Sequence, residues 1–65
     1  MPSIIFESGQ LTSSVKEQLI AQLTEISEKI TGIPKEYFLM TIREQPDENI
    51  AMGGKSVARI KQALK

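Results

Sequence analysis

The chain has 65 residues, 40% of them hydrophobic, and its eight basic residues balance eight acidic ones. A chain this short makes one domain and buries only about 60% of the surface its unfolded form exposes, so it needs staples or partners. It contains no cysteine and no histidine, which excludes disulfides, thiolate or imidazole zinc sites, and Ser-His or Cys-His nucleophile systems. Self-association is the remaining route to stability.

The balanced charge and the small aromatic set of Phe6, Tyr37 and Phe38 give no electrostatic footprint for nucleic acid or membrane. The opening MPSIIFESG lacks the basic flank and apolar run of a secretory signal, and no stretch approaches the ~20 apolar residues of a membrane span. A cytoplasmic location is expected.

Ser3–Ser8 reads as a strand, with Ile4, Ile5 and Phe6 of high β-propensity and Gly9 closing the run. Thr12, Ser13 and Ser14 are candidate helix caps, and Ser14 has Glu17 at capping-box spacing. Val15, Leu19, Leu23, Ile26 and Ile30 then recur at three- and four-residue steps, with Ile20 widening the stripe. This predicts an amphipathic helix whose stripe is core. Gly32 suits a left-handed terminator and Pro34 cannot continue the helix, so it ends near Thr31.

Residues 37–44 (YFLMTIRE) form a second expected strand, with Tyr37, Leu39, Thr41 and Arg43 on one face and Phe38, Met40, Ile42 and Glu44 on the other. Residues 45–49 (QPDEN) are a polar turn, whose adjacent carboxylates Asp47 and Glu48 read as solvated, with no metal. A short apolar piece, Ile50-Ala51-Met52, is stopped by Gly53-Gly54. That pair lacks the GxxxxGK[ST] spacing of a phosphate loop and reads as a hairpin turn. In residues 55–65, Val57, Ile60 and Leu64 lie at helical spacing, which predicts a C-terminal helix.

The expected fold class is therefore α/β, in a small α+β form: a βαβ protomer with parallel strands, a short hairpin and a C-terminal helix in a single domain over residues 1–65. Two strands alone do not make a stable sheet. One helix covers one face, so the other face needs a partner chain.

This layout resembles the tautomerase superfamily, with 4-oxalocrotonate tautomerase as its best-known type. Four features carry the resemblance: Met-Pro before an apolar strand, a strand-ending ESG before a capped helix, a proline just after that helix, and a second strand ending in Glu44 with Met52-Gly53-Gly54 eight to ten residues later. The resemblance implies a dimer, or a hexamer built as a trimer of dimers, acting on an enol or keto acid without cofactor or metal. It also implies catalysis by Pro2 as general base and acid after removal of Met1. A proline nitrogen inside a peptide bond has no basic lone pair, whereas a free terminal proline is a secondary amine. An ordinary terminal amine titrates near ~8, so the site must lower its basicity by apolar burial or nearby positive charge.

The sequence departs from the family's cationic pattern. The first arginine position falls on Gln10 or Leu11, the second on Leu39, and the aromatic before the glycine pair on Ile50. The expected pocket is accordingly drier: Leu11, Leu39, Ile50 and Met52 line it, and Arg43 takes part of the carboxylate contact. Such a pocket favours a monocarboxylic enol over a dicarboxylate. The same amine is compatible with lyase, hydratase or dehalogenase outcomes, and loss of the arginines is compatible with a catalytically silent oligomeric scaffold.

Overall fold

In the computed structural model, which describes residues 1–64, the chain runs β1 (Ser3–Ser8), α1 (Ser13–Thr31), β2 (Leu39–Glu44), β3 (Ala51–Met52), β4 (Lys55–Ser56) and α2 (Val57–Ala63), with 3-10 turns at Lys35–Tyr37 and Asp47–Asn49. β1 and β2 are parallel, in a register that sets Ser3 opposite Leu39, Ile5 opposite Thr41 and Glu7 opposite Arg43. This is the expected βαβ unit, and α1 is its crossover.

Thr12, not Ser14, caps α1. Its backbone is extended, and its hydroxyl accepts the Val15 N–H at 3.2 Å. Ser14 lies inside the first turn, where its hydroxyl accepts from the Gln18 side-chain amide instead. The helix stops where expected, at Thr31. Gly32 takes φ +75°, and its N–H donates to the Glu28 carbonyl at 2.8 Å, a conformation that costs glycine no Cβ clash.

β2 begins at Leu39, two residues later than composition suggests. Tyr37 and Phe38 have high β-propensity, but their N–H groups close a turn onto the Pro34 and Lys35 carbonyls. The ladder itself begins with the Leu39 N–H donating to the Pro2 carbonyl, so residues 37 and 38 have no strand beside them. β3 and β4 form a hairpin with Met52 opposite Lys55. The two residues between them, Gly53 and Gly54, have φ +60° and +81°. A two-residue turn whose twist matches its strands needs positive φ at both positions. α2 starts at Val57 rather than 55 because Lys55 and Ser56 pair in the hairpin, and the Ser56 hydroxyl then caps the helix at the Arg59 N–H. Lys65, included in the expected helix, lies outside the described residues.

Helix and sheet meet where Leu19 and Leu23 of α1 and Ile4, Phe6, Met40 and Ile42 of the strands are half-buried. The opposite sheet face is bare, leaving Ile5 54% and Leu39 58% exposed. The apolar stripe of α1 is wider than this contact, and Val15, Ile20, Ile26 and Ile30 remain exposed. The expectation that the stripe is core is therefore met only at Leu19 and Leu23 within one chain, because a two-stranded sheet is too narrow to cover the rest. No described residue is fully buried.

The radius of gyration is 15.5 Å, against about 11 Å for a compact chain of this length. The chain is 45 Å long and 15 Å thick. Such a body lacks an interior. Both strands are also edges of their sheet, with unpaired N–H and C=O groups available for pairing. We expect sedimentation at micromolar concentration to show a stable oligomer. Melting should rise with protein concentration, and placing a charge on the bare face with Ile5→Lys should weaken association by roughly 2 kcal/mol per chain, so that the folded oligomer persists only at higher concentration. A folded monomer in the unsubstituted chain would contradict this.

Candidate active site

The parallel topology divides the expected site residues between two ends of the sheet. Pro2 stands at the beginning of β1, half-buried, with its carbonyl held at 3.0 Å by the Leu39 N–H. Proline suits this place, since the position before the first strand residue requires no N–H from it. Pro2 and Leu39 are thus neighbours through the backbone, and the Leu39 side chain occupies the bare face.

Leu11, Arg43 and Ile50 belong to the opposite end. Arg43 sits opposite Glu7, one step before the strands finish, and is exposed on the same face as Leu39. Six residues separate Pro2 from the end of β1, or about 20 Å at ~3.3 Å per residue. Ile50 follows the Asp47–Asn49 turn and is half-buried; its carbonyl accepts the Val57 N–H at 2.7 Å, which ties the start of the hairpin to α2. Ile50 also borders an open groove with Glu7, Ser8, Gln45 and Asn49. Met52 lies on the hairpin, 69% exposed. Within one chain, then, Pro2 has Leu39 beside it, whereas Leu11, Arg43, Ile50 and Met52 are elsewhere.

The distal end is organised by polar contacts that the sequence does not signal. Glu44 ends β2, and its two carboxylate oxygens divide their bonds: Oε2 accepts the Leu11 N–H at 2.8 Å and Oε1 accepts Lys16 Nζ at 2.8 Å. The Glu44 and Lys16 side chains are only about a third exposed. The Lys16 hydrogen bond, then the Leu11 N–H, hold the Glu44 carboxyl below its ordinary range against a small opposing effect of burial. Nearby, the Gln45 N–H donates to the Ser8 carbonyl at 2.8 Å, and its side-chain amide donates to Glu7 at 2.9 Å. Asp47 pairs with Lys61 at 2.9 Å, joining the turn to α2. In the sequence Lys16 reads only as a solvent-facing helix residue. Its partner lies 28 residues away, and only the fold brings the two together.

Among the described residues no group of three or more carboxylates is placed to hold a metal ion, and no helix is long and apolar enough to cross a membrane.

The family model described as Tautomerase enzyme matches residues 3–60, and the chain belongs to that family. No curated protein matches it in sequence. Among solved structures, it is similar to TomN, a 4-oxalocrotonate tautomerase homologue of the tomaymycin biosynthetic pathway, with 25% identity over 98% of this chain and 100% of that one and a TM-score of 0.92. DmpI from Archaeoglobus fulgidus is 30% identical over 88% of this chain and 98% of its own, at a TM-score of 0.80. A 4-oxalocrotonate tautomerase isozyme from Methylibium petroleiphilum is 27% identical over 91% and 97%, at a TM-score of 0.84. The βαβ protomer with its C-terminal helix is thus the fold of 4-oxalocrotonate tautomerase homologues, and membership of the family supports an isomerase-type activity.

Because Glu44 titrates lower when folded than when unfolded, its ionised form favours the folded state. That contribution is present at neutral pH and is lost as pH falls below the ordinary glutamate range and through the lower folded-state value. Glu44→Gln should therefore show a shallower loss of thermal stability than the unsubstituted chain as pH is lowered from neutrality through and below the ordinary glutamate value of 4.5. Parallel melting curves over that range would refute the contribution.

Proposed function

We propose that this chain is a subunit of an oligomeric tautomerase that moves a proton between oxygen and carbon of an enol or keto acid, with the Pro2 nitrogen as the proton carrier once Met1 has been removed. The observation that carries this reading is the position of Pro2 at the head of the parallel ladder, its carbonyl fixed by β2 while its ring nitrogen lies outside the hydrogen-bonded sheet.

In the reaction, the free amine accepts the enol O–H proton and the resulting negative charge spreads from oxygen to carbon. The ammonium then returns the proton to carbon, which leaves a ketone. The proton balance closes with no other reactant. A secondary amine serves both steps well only if its basicity lies near the working pH, and apolar surroundings lower it by disfavouring the ammonium. Leu39 beside Pro2 supplies part of those surroundings.

The remaining pocket residues come from a neighbouring copy. A two-fold axis across the strand direction reverses one sheet relative to the other, so the beginning of one chain's sheet meets the end of its partner's. This arrangement lets Arg43 of one chain approach Pro2 of another and contact a substrate carboxylate, with Leu11, Ile50 and Met52 as apolar walls. A dimer or a trimer of dimers satisfies this geometry. One cation among apolar walls suits a monocarboxylic enol, such as the enol of an arylpyruvate, better than a dicarboxylate. Silent-scaffold, lyase, hydratase and dehalogenase readings are outcomes of the same tests.

Intact mass should show loss of Met1, and Pro2→Ala should lower kcat/KM on an aryl enolpyruvate by at least about a hundredfold, the usual scale for removing a general base. Equal rates would favour the silent scaffold. Arg43→Ala should raise KM by about tenfold, with the dicarboxylate 2-hydroxymuconate remaining the poorer substrate for the unsubstituted protein. Unchanged kcat/KM in Arg43→Ala would remove Arg43 from the site, and equal efficiency on the two substrates would defeat the monocarboxylate preference.

A further inference from the structure

We propose that Glu44 is a positioning residue that acts through Leu11: by holding the backbone of the β1–α1 loop, it fixes an apolar wall of the pocket and so sets the preference for substrates with a bulky apolar group. The inference rests on the tautomerase reading above and extends it to a residue that has no direct contact with the reacting atoms.

The loop between Ser8 and the Thr12 cap is only Gly9, Gln10 and Leu11. It opens on a glycine, the residue with the widest backbone freedom. Gln10 is exposed, and Leu11 is half-buried although it adjoins solvent on both sides in sequence. The long-range hydrogen bond that holds Leu11 is the one from its N–H to Glu44 Oε2, across 33 residues. Lys16 occupies the other oxygen, so the carboxylate cannot swing to solvent without breaking two charge-assisted bonds. α1 has no acidic residue in its first turn, and Glu44 brings a negative charge to that end of the helix from β2, where the helix dipole favours it. The carboxylate thus clamps the loop and the first helical turn to the end of β2 simultaneously.

A wall residue contributes to binding of ground and transition states alike, and most strongly for substrates that touch it. Releasing Leu11 should weaken binding of an aryl enolpyruvate and leave a small aliphatic enol acid nearly unaffected. A merely structural role for Glu44 would reduce both equally.

The test measures kcat and KM for the processed oligomer on phenylenolpyruvate and on enolpyruvate, in Glu44→Ala, Glu44→Gln, Lys16→Met and Leu11→Ala, with Pro2→Ala as control. Glu44→Ala is expected to lower the aryl-to-aliphatic ratio of kcat/KM about tenfold, chiefly through KM. Glu44→Gln and Lys16→Met should have smaller effects in the same direction, since each keeps an acceptor for the Leu11 N–H. Leu11→Ala should reproduce the Glu44→Ala ratio, and the double variant should add little, as expected for residues acting as one unit. A ratio that falls in Leu11→Ala but is unchanged in the three Glu44 and Lys16 variants would overturn the proposal. So would equal losses on both substrates. Activity that survives in Pro2→Ala would instead overturn the proline mechanism, and that result is read independently of the ratio.

Discussion

The constraint on which everything else depends is that one copy of this chain cannot enclose anything. A two-stranded sheet has one face for a helix and one face for water, and here the second face carries Ile5 and Leu39. Burying each such side chain is worth about 1.5–3 kcal/mol, which is large against the few kcal/mol available to a 65-residue domain. Folding and association are therefore one equilibrium. The wide helical stripe, the two bare strand edges and the elongated outline are further expressions of the same deficit.

Parallel pairing has a second consequence, for chemistry. Both strands start at one end, so Pro2 and Leu39 lie together there. Everything that follows a strand lies at the other end: the Leu11 loop, the 45–49 turn and Ile50. A single chain brings Pro2 together with Leu39 alone, and in the function proposed above a reversed second chain supplies the complementary half of the pocket. On that proposal the energetic need for a partner and the chemical need for one are met by the same contact.

Much of this was legible in the sequence because the signals are local. The run of high β-propensity at Ile4, Ile5 and Phe6 closed by Gly9, the three-and-four stripe from Val15 to Ile30, and the glycines at 32, 53 and 54 each report on backbone geometry within a few residues. Local propensity misleads where a competing partner intervenes: Tyr37 and Phe38 look like strand but bond backward to Pro34 and Lys35. Of the three candidate caps, Thr12, Ser13 and Ser14, the fold selects Thr12. The Glu44–Lys16–Leu11 cluster was not legible, since its members are 28 and 33 residues apart and each has an ordinary local role. The cationic positions of the family, replaced here by Leu11 or Gln10 and by Leu39, were readable only as departures from a resemblance.

The separation of Pro2 from the distal loops by the length of a strand has a genetic counterpart. On the proposed assembly, two inactive alleles, one lacking the proline and the other damaged at the far end of the sheet, would spoil opposite halves of the same cleft. Mixed particles would then contain some clefts with both halves intact, and the two alleles would complement each other in one cell. A mutant phenotype of this protein would thus depend on which copy shares its particle.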